Sequence, residues 1–176
     1  MTTIVDGTTG ITYPVATATG SATQASAGRV LQVVSATTTA TTTNTTTTPA
    51  DVTGLTATIT PSSSSSKVLV MVSTQCEVSR SAIEAAGFLL LLRGSTTIFS
   101  QSANSFGLEA GLSTGSRIYL DGWYAPSIVD SPATTSATTY KVQLVCFATG
   151  SSGRIMVNNN SNNTQTSSII LMEIAA

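Results

Sequence analysis

Residues 52–60 read VTGLTATIT, and this short stretch decides the fold class. The apolar side chains of Leu55, Ala57 and Ile59 alternate with threonine side chains. A two-residue period of this kind is typical of a β-strand with one face buried and the other face in solvent. Because threonine is β-branched, it also favours the extended backbone.

On both sides of this stretch, the chain contains one short extended segment after another, separated by turns rich in Gly, Pro, Ser and Asn. We predict further strands at residues 29–35, 67–76, 88–93, 96–100, 117–123, 139–148, 154–157 and 167–174. No segment has a convincing helical period; the best candidate, residues 80–86, is short and runs into Gly87. The expected fold is all-β: an antiparallel β-sandwich, jelly-roll-like, with an extended N-terminal arm.

Three segments carry more specific expectations. Residues 67–76 (KVLVMVSTQC) and 88–93 (FLLLLR) are apolar on both faces, so we predict central strands covered on each side. The threonine-rich residues 36–48 are interpreted either as a polar edge strand or as a long exposed loop. Cys76 and Cys146 fall in apolar strand-like segments, where we expect buried free thiols that behave as small hydrophobes.

The chain is predicted to have two parts. Residues 1–27 contain Gly, Thr, Ala and Ser with few apolar side chains, and are interpreted as an extended N-terminal docking arm. Residues 28–176 form the jelly-roll β-sandwich domain. The arm has turn signals at residues 6–7 and 9–10, and its apolar side chains are expected to seat against a neighbouring subunit as an added strand. These candidate assembly contacts are Ile4, Val5, Ile11, Tyr13 and Val15.

The composition favours an assembly subunit over a free monomer. Of the 176 residues only 9% are charged, about a third are Ser or Thr, and the net charge is −1. The mean hydropathy is +0.27, and so small a net charge leaves little repulsion between copies. The seven basic residues are scattered along the chain, so no basic patch is predicted and nucleic acid is not an expected partner.

The sequence offers no pattern for a membrane or a secretory leader. Its longest apolar run, residues 87–92, is of strand length, far below the roughly 18 residues of a membrane-spanning helix. The first residues lack a charged segment followed by an apolar one, the mark of a signal peptide. We therefore expect no membrane association.

Several motifs suggest chemistry, but each lacks a required partner. The chain contains no His, the commonest general base and metal ligand. Residues 111–115 (GLSTG) match a nucleophile elbow but have no imidazole base, and residues 64–67 (SSSK) match a serine–lysine motif only because five serines run together. The eight carboxylates do not cluster in a short loop. No catalytic residue, metal site or cofactor is predicted.

Two adjacent aromatic residues are candidates for a surface role. Trp123 and Tyr124 end a predicted strand shortly before a proline. Exposed aromatic side chains at such a place anchor subunit contacts or stack on a sugar ring. The alternative is that they are core aromatics at a corner of the sandwich.

Six segments of the chain together resemble small virion proteins of tailed bacteriophages, described as capsid decoration (cement) proteins or as tail-fibre-like proteins. They are VDGTTGITYP (residues 5–14), GRVLQVVSATTT (28–39), DVTGLTATITPSSSSSKVLVMVS (51–73), LLLLRGSTTI (89–98), VDSPATTSATTYKVQ (129–143) and SSIILMEIA (167–175). The resemblance extends over nearly the whole chain from Val5 onward. It implies a jelly-roll subunit that forms a homotrimer on a virion surface, with an N-terminal arm that reaches into the neighbouring shell or tail.

This resemblance supplies the functional expectation. A decoration protein would bind the outer surface of the capsid, stabilise contacts between major capsid subunits, and be made in the cytoplasm of the bacterial host. The alternative is a tail-fibre or tail-spike knob that recognises the host surface, with loops at residues 100–116 and 158–166 binding glycans. Two features depart from the resemblance: the region at residues 37–48 is unusually rich in threonine, and the opening lacks the longer tail-attachment domain of a full fibre.

Overall fold

The structure, a computed structural model, describes residues 4–6, 10–12, 27–81, 84–101, 106–109, 117–159 and 165–176. Across these ranges the chain forms fourteen strands and no helix, which confirms the all-β prediction. In chain order they are β1 (Ile4–Asp6), β2 (Gly10–Thr12), β3 (Val30–Thr38), β4 (Thr42–Asn44), β5 (Ala50–Ile59), β6 (Lys67–Arg80), β7 (Glu84–Arg93), β8 (Thr96–Ser100), β9 (Phe106–Glu109), β10 (Ile118–Tyr124), β11 (Ser127–Asp130), β12 (Thr138–Cys146), β13 (Arg154–Val157) and β14 (Ser167–Ile174). The bounds of β8, β13 and β14 are those predicted.

The principal strands have the order of a jelly roll. The first sheet places β3, β14, β6 and the β10–β11 edge side by side, and the second sheet places β5, β12, β7 and β8 side by side. Counting β10 and β11 as one strand, these are eight strands, which can be numbered along the chain. In spatial order, the first sheet then contains the first, eighth, third and sixth strands. The second sheet contains the second, seventh, fourth and fifth strands. Two Greek keys produce this order, and all the pairings are antiparallel. The jelly-roll prediction is therefore confirmed.

The 14-residue strand β6 organises the first sheet. Its first half pairs with β14 on one side and with β11 on the other. Its second half pairs with β13 and β10, and β13 in turn pairs with the short strand β4. The register of β10 on β6 continues unchanged into β11 across Ala125 and Pro126, so β10 and β11 form one long edge.

The core lies between the two sheets and is built from alternate residues of each strand. Val68 and Val70 of β6 and Ile169 of β14 contribute from the first sheet, while Leu89 of β7 and Leu144 of β12 contribute from the second. All five side chains are fully buried. Cys76 and Cys146 are also buried in this core as free thiols, as expected. Burial raises the pKa of the Cys76 thiol well above its ordinary value.

The opening stretch of the sequence forms β5, with a bulge that the alternation alone does not predict. Leu55, Ala57 and Ile59 face the core as expected, but Val52, three residues before Leu55, faces it too. The register against β12 shifts between Lys141 and Gln143, where β5 inserts extra residues. Gly54 lies in this bulge with a φ of +75°, and an added Cβ would lie 2.9 Å from the Thr38 Cβ. Both constraints require glycine at this position.

The threonine-rich segment is divided between two strands and a loop. Its first residues complete β3, residues 42–44 form the edge strand β4, and the remainder is loop. Asn44 is buried, and its amide nitrogen donates to the Thr48 and Leu144 carbonyl oxygens at 2.8 Å each. Its side-chain oxygen accepts from the Thr46 backbone N–H. Both of the alternative interpretations are therefore correct for a part of this segment.

Candidate assembly surface

The outward face of the first sheet, turned away from the core, carries a row of apolar side chains. Val33 of β3 pairs with Met172 of β14, Met172 pairs with Leu69 of β6, and Leu69 pairs with Val129 of β11. Directly paired residues project to the same side of a sheet, so these four side chains form a line across four strands. Val33 is 56% exposed and Val129 is 64% exposed.

A second row lies next to the first and enlarges the apolar area. Ile170 pairs with Met71, and the flanking positions in this row are Ser35 and Ser127. Ile170 and Met71 are half-buried among their neighbours. We call the apolar side chains of these two rows the aliphatic patch; they are Val33, Leu69, Met71, Val129, Ile170 and Met172. None of its members carries a charge.

The aliphatic patch corrects one prediction about β6. The apolar residues on both faces of residues 67–76 were expected to be covered on each side. Val68, Val70 and Val72 do face the core, but Leu69 and Met71 face outward and are only half-buried. The prediction is wrong for this half of β6 because no second layer of the described chain lies on its outer face. Apolar residues on an uncovered sheet face are typical of a surface that packs against another protein.

Strand β11, which carries Val129, is tied to the second sheet by an ionic contact. Asp130 accepts hydrogen bonds from Arg93 Nη1 of β7 at 2.9 and 2.8 Å, and from the Tyr140 hydroxyl of β12 at 2.7 Å. Burial, and then the Asp130 carboxylate, raise the pKa of the Tyr140 hydroxyl. This contact fixes the edge of the aliphatic patch to the body of the sandwich.

A different surface lies further along the same edge. Tyr119, Asp121 and Trp123 project from the outward face of β10, opposite Ser79, Glu77 and Gln75 of β6. Tyr119 is 53% exposed, Trp123 is 61% exposed, and Asp121 between them is also exposed. We call these three residues the aromatic strip.

The polar side chains of β6 behind the aromatic strip are buried and hydrogen-bonded. Gln75 Nε2 donates to Asp121 Oδ1 at 2.8 Å. Glu77 accepts from Arg154 Nη2 at 3.2 Å and from the Asn159 amide. Ser79 Oγ accepts from Arg154 Nε at 3.0 Å. These contacts fix the positions of the Gln75, Glu77 and Ser79 side chains beneath the strip.

The structure separates the two adjacent aromatic residues of the sequence. Trp123 is exposed on the outward face, whereas Tyr124 is 2% exposed and packs in the core, with its ring 6.3 Å from that of Phe99. Neighbouring residues of a strand project to opposite faces. Of the two, only Trp123 has the exposure that a subunit contact requires. Tyr124 takes the core position that the sequence left open as the alternative.

The buried Tyr124 hydroxyl leads to a prediction about stability. It has no hydrogen-bond partner among the residues the structure describes, and burial raises its pKa. Because an unpaired buried hydroxyl destabilises the fold, Tyr124→Phe is expected to raise the free energy of unfolding by about 1 kcal/mol. Thermal denaturation followed by circular dichroism should show a midpoint roughly 2–4 °C higher. A lower midpoint would mean that the hydroxyl is bonded.

Only some of the candidate contacts in the arm lie among the residues that the structure describes. Ile4 and Val5 lie in β1 and Ile11 in β2, and these two strands pair in the antiparallel direction. Tyr13 and Val15 fall outside the described residues, as does most of the predicted arm. The docking role of all five stays a prediction.

Sequence reasoning missed most of this surface. Val33, Val129 and Tyr119 lie in apolar or mixed segments whose outward-facing members could be identified only by alternation from a known core residue. The loops predicted for glycan recognition, and the GLSTG motif, lie largely or wholly outside the described residues. Lys67 of the other serine motif opens β6 and donates to Ser131 Oγ at 2.9 Å, not to a serine of that motif.

Across the described ranges, no three Cys, Asp or Glu side chains lie close enough together to hold a metal ion. Nor does that part of the chain contain a helix long and apolar enough to cross a membrane.

Comparison with known proteins gives only weak structural likenesses, of which two are described below. No family model matches the sequence, and no curated protein matches it. Among solved structures, the VP2 subviral particle of infectious bursal disease virus has a TM-score of 0.32 at 17% identity, and the Gx strain of the same virus has 0.31 at 15%. Each alignment covers 85% of this chain and 38% of the other. Scores this low support no argument about function.

Proposed function

We propose that this chain is a non-enzymatic structural subunit of a virion, namely a capsid decoration protein of a tailed bacteriophage. The resemblance of its segments to such proteins supports the viral and phage parts of the proposal. In this function the protein binds the outer surface of the capsid after synthesis in the bacterial cytoplasm, and stabilises contacts between major capsid subunits.

The aliphatic patch is the observation that carries the structural part of the proposal. It is an exposed, uncharged surface that crosses four paired strands, with Val33 and Val129 at its two ends more than half exposed. Interface cores are depleted of charged residues, are more apolar than the rest of the surface, and are enriched in Met. The patch has this composition, and so fits a protein that acts by packing against other subunits.

We propose that a second copy of the chain covers the aliphatic patch, with the same face of each subunit turned toward the axis of a homotrimer. Side chains close to a three-fold axis face their own copies in the other subunits, so a patch without charge avoids electrostatic repulsion at the axis. Four strands about 4.8 Å apart and about three residues along each strand give a flat area of roughly 200 Å², about a quarter of what each partner contributes to a standard interface.

The remaining contact area is assigned to the N-terminal arm. Apolar residues of the arm, such as Ile11 and Tyr13, would pack against a neighbouring copy or against the major capsid protein, as an added strand. An arm of about 27 residues reaches roughly 80–90 Å when fully extended. That reach is sufficient to join adjacent subunits of a shell.

The copy number per virion tests this function against the alternative of a tail-fibre or tail-spike knob. Quantitative mass spectrometry of purified virions is expected to find this chain in numbers comparable to the major capsid protein. A fibre knob would instead be present in a few copies, at the level of other tail proteins. Such a low number would contradict the decoration function and favour host recognition.

A further inference from the structure

The aromatic strip differs in chemistry from the aliphatic patch, although both lie on the outward face of the first sheet. In the strip, two exposed rings flank an exposed carboxylate along one strand. Tyr119 and Trp123 are four residues apart, which places their Cα atoms about 13 Å from each other. Along the strand, the strip therefore presents an aromatic ring, a hydrogen-bond acceptor and a second aromatic ring.

Two members of the strip, Tyr119 and Asp121, are held in place from below or from the side. The Arg117 guanidinium lies 5.7 Å from the centre of the Tyr119 ring and donates to Ser79 Oγ at 3.2 Å. Gln75 fixes one carboxylate oxygen of Asp121. The other oxygen, Oδ2, accepts no hydrogen bond from any residue that the structure describes. A preorganised acceptor thus remains open toward solvent between the two rings.

This chemistry favours a particular class of ligand. A pyranose ring has an apolar C–H face that packs on an aromatic ring, and hydroxyl groups at its rim that donate to carboxylates. A protein partner would bury the Asp121 charge without a matched cation, and Asp is depleted in protein interfaces for this reason. The nearby cations are engaged, Arg154 with Glu77 and Arg117 with Tyr119 and Ser79. The one charge within the strip is the Asp121 carboxylate, which would repel an anionic sugar.

We propose that the aromatic strip binds a neutral oligosaccharide, with pyranose rings stacked on Tyr119 and Trp123 and a hydroxyl group donating to Asp121. This binding is independent of the decoration function, since the strip and the aliphatic patch share no residue. A virion subunit with such a strip would attach weakly to polysaccharide, and many copies on one particle would multiply that attachment.

The single tryptophan of the chain makes the proposal directly measurable. Trp123 is the only Trp, so its fluorescence reports the strip alone. Cellohexaose, chitohexaose and maltohexaose are the probes, titrated to millimolar concentration into the full-length protein. At least one probe is expected to shift the emission to shorter wavelength in a saturable way, and to protect Trp123 from quenching by acrylamide.

Variants tested by calorimetry with the probe that binds complete the experiment. Trp123→Ala is expected to weaken binding at least tenfold, and Asp121→Asn, which keeps the side-chain shape, by about tenfold. Val129→Ala, a change in the aliphatic patch, should leave the affinity unchanged. The proposal is overturned if no probe binds, if binding survives Trp123→Ala, or if Trp123→Ala changes the oligomeric state, since the strip would then be a protein contact.

Discussion

A Val33→Lys, Val129→Lys double variant is expected to dissociate into folded monomers at concentrations where the parent chain is a trimer. Both side chains are more than half exposed within one subunit, so lysine at these sites should change the folding free energy by less than about 0.5 kcal/mol. In the proposed trimer, however, the added lysines lie in an apolar interface without a counter-charge. Burying them should weaken association at least 100-fold, which corresponds to about 3 kcal/mol.

Light scattering coupled to size-exclusion chromatography measures this result. The parent chain should have a mass three times the 17.9 kDa of one subunit, and the variant a mass close to that of one subunit. A matched control, Thr58→Lys with Thr96→Lys, adds the same charge to exposed positions of the second sheet and should remain trimeric. A monomeric parent chain, or a double variant that stays trimeric, would refute packing through the aliphatic patch.

Acid is expected to destabilise the protein through Glu173. This residue of β14 is fully buried, and burial alone would raise its pKa. Hydrogen bonds from Ser62, Gln32 and Ser66 outweigh that effect and lower the pKa of Glu173 to about 2 from 4.5. Ser62 donates from both its backbone N–H, at 2.7 Å, and its hydroxyl, at 2.6 Å. The carboxylate thus ties the turn between β5 and β6 to the last strand.

The direction of the pH dependence follows from this lowered pKa. Because the folded state holds the charged form more strongly than the unfolded state does, its stabilisation is complete above about pH 4.5 and is lost as the pH falls toward 2. The stabilisation amounts to about 3 kcal/mol. Glu173→Gln should lower the melting temperature by roughly 5–10 °C at neutral pH, and should remove most of the change between pH 4.5 and pH 2.

Thermal denaturation at several pH values, with a matched control, tests the role of Glu173. Asp51 also has a lowered pKa, chiefly because Lys141 donates a hydrogen bond to it, but its side chain is 58% exposed. Asp51→Asn is therefore expected to change stability by less than about 1 kcal/mol. If Glu173→Gln melts like the parent chain at neutral pH, the buried carboxylate does not stabilise the fold.

The strands of the sandwich could be predicted because their signal is local. The alternation of Leu55, Ala57 and Ile59 with threonine requires only that one face be buried. Three strands were predicted with their observed bounds, and the buried thiols followed from their apolar surroundings. Val52 departs from the alternation because of the bulge at Gly54, where the Thr38 side chain of another strand comes too close for any residue with a Cβ.

The candidate surface could be predicted only in part, since it depends on pairings between distant segments. Val33, Leu69, Val129 and Met172 are spread over nearly the whole body of the chain, and only the register of β3, β14, β6 and β11 aligns them. Sequence reasoning identified Trp123 as a surface candidate but paired it with Tyr124, which faces the core. The exposure of Tyr119 was not predicted, because the sequence around an isolated aromatic residue in a strand does not indicate which face of the sheet the residue occupies.

The sequence alone was sufficient to predict an all-β protein that is rich in Ser and Thr and contains no histidine. These properties depend on composition and on the two-residue period, which are visible within a few neighbouring residues. The tertiary structure decided the strand order, the outward position of Leu69 and Met71, and the alignment of the aliphatic patch and the aromatic strip. The alternation along a strand indicates that its two faces differ in polarity. Which face is buried depends on where another layer of the protein packs against the sheet.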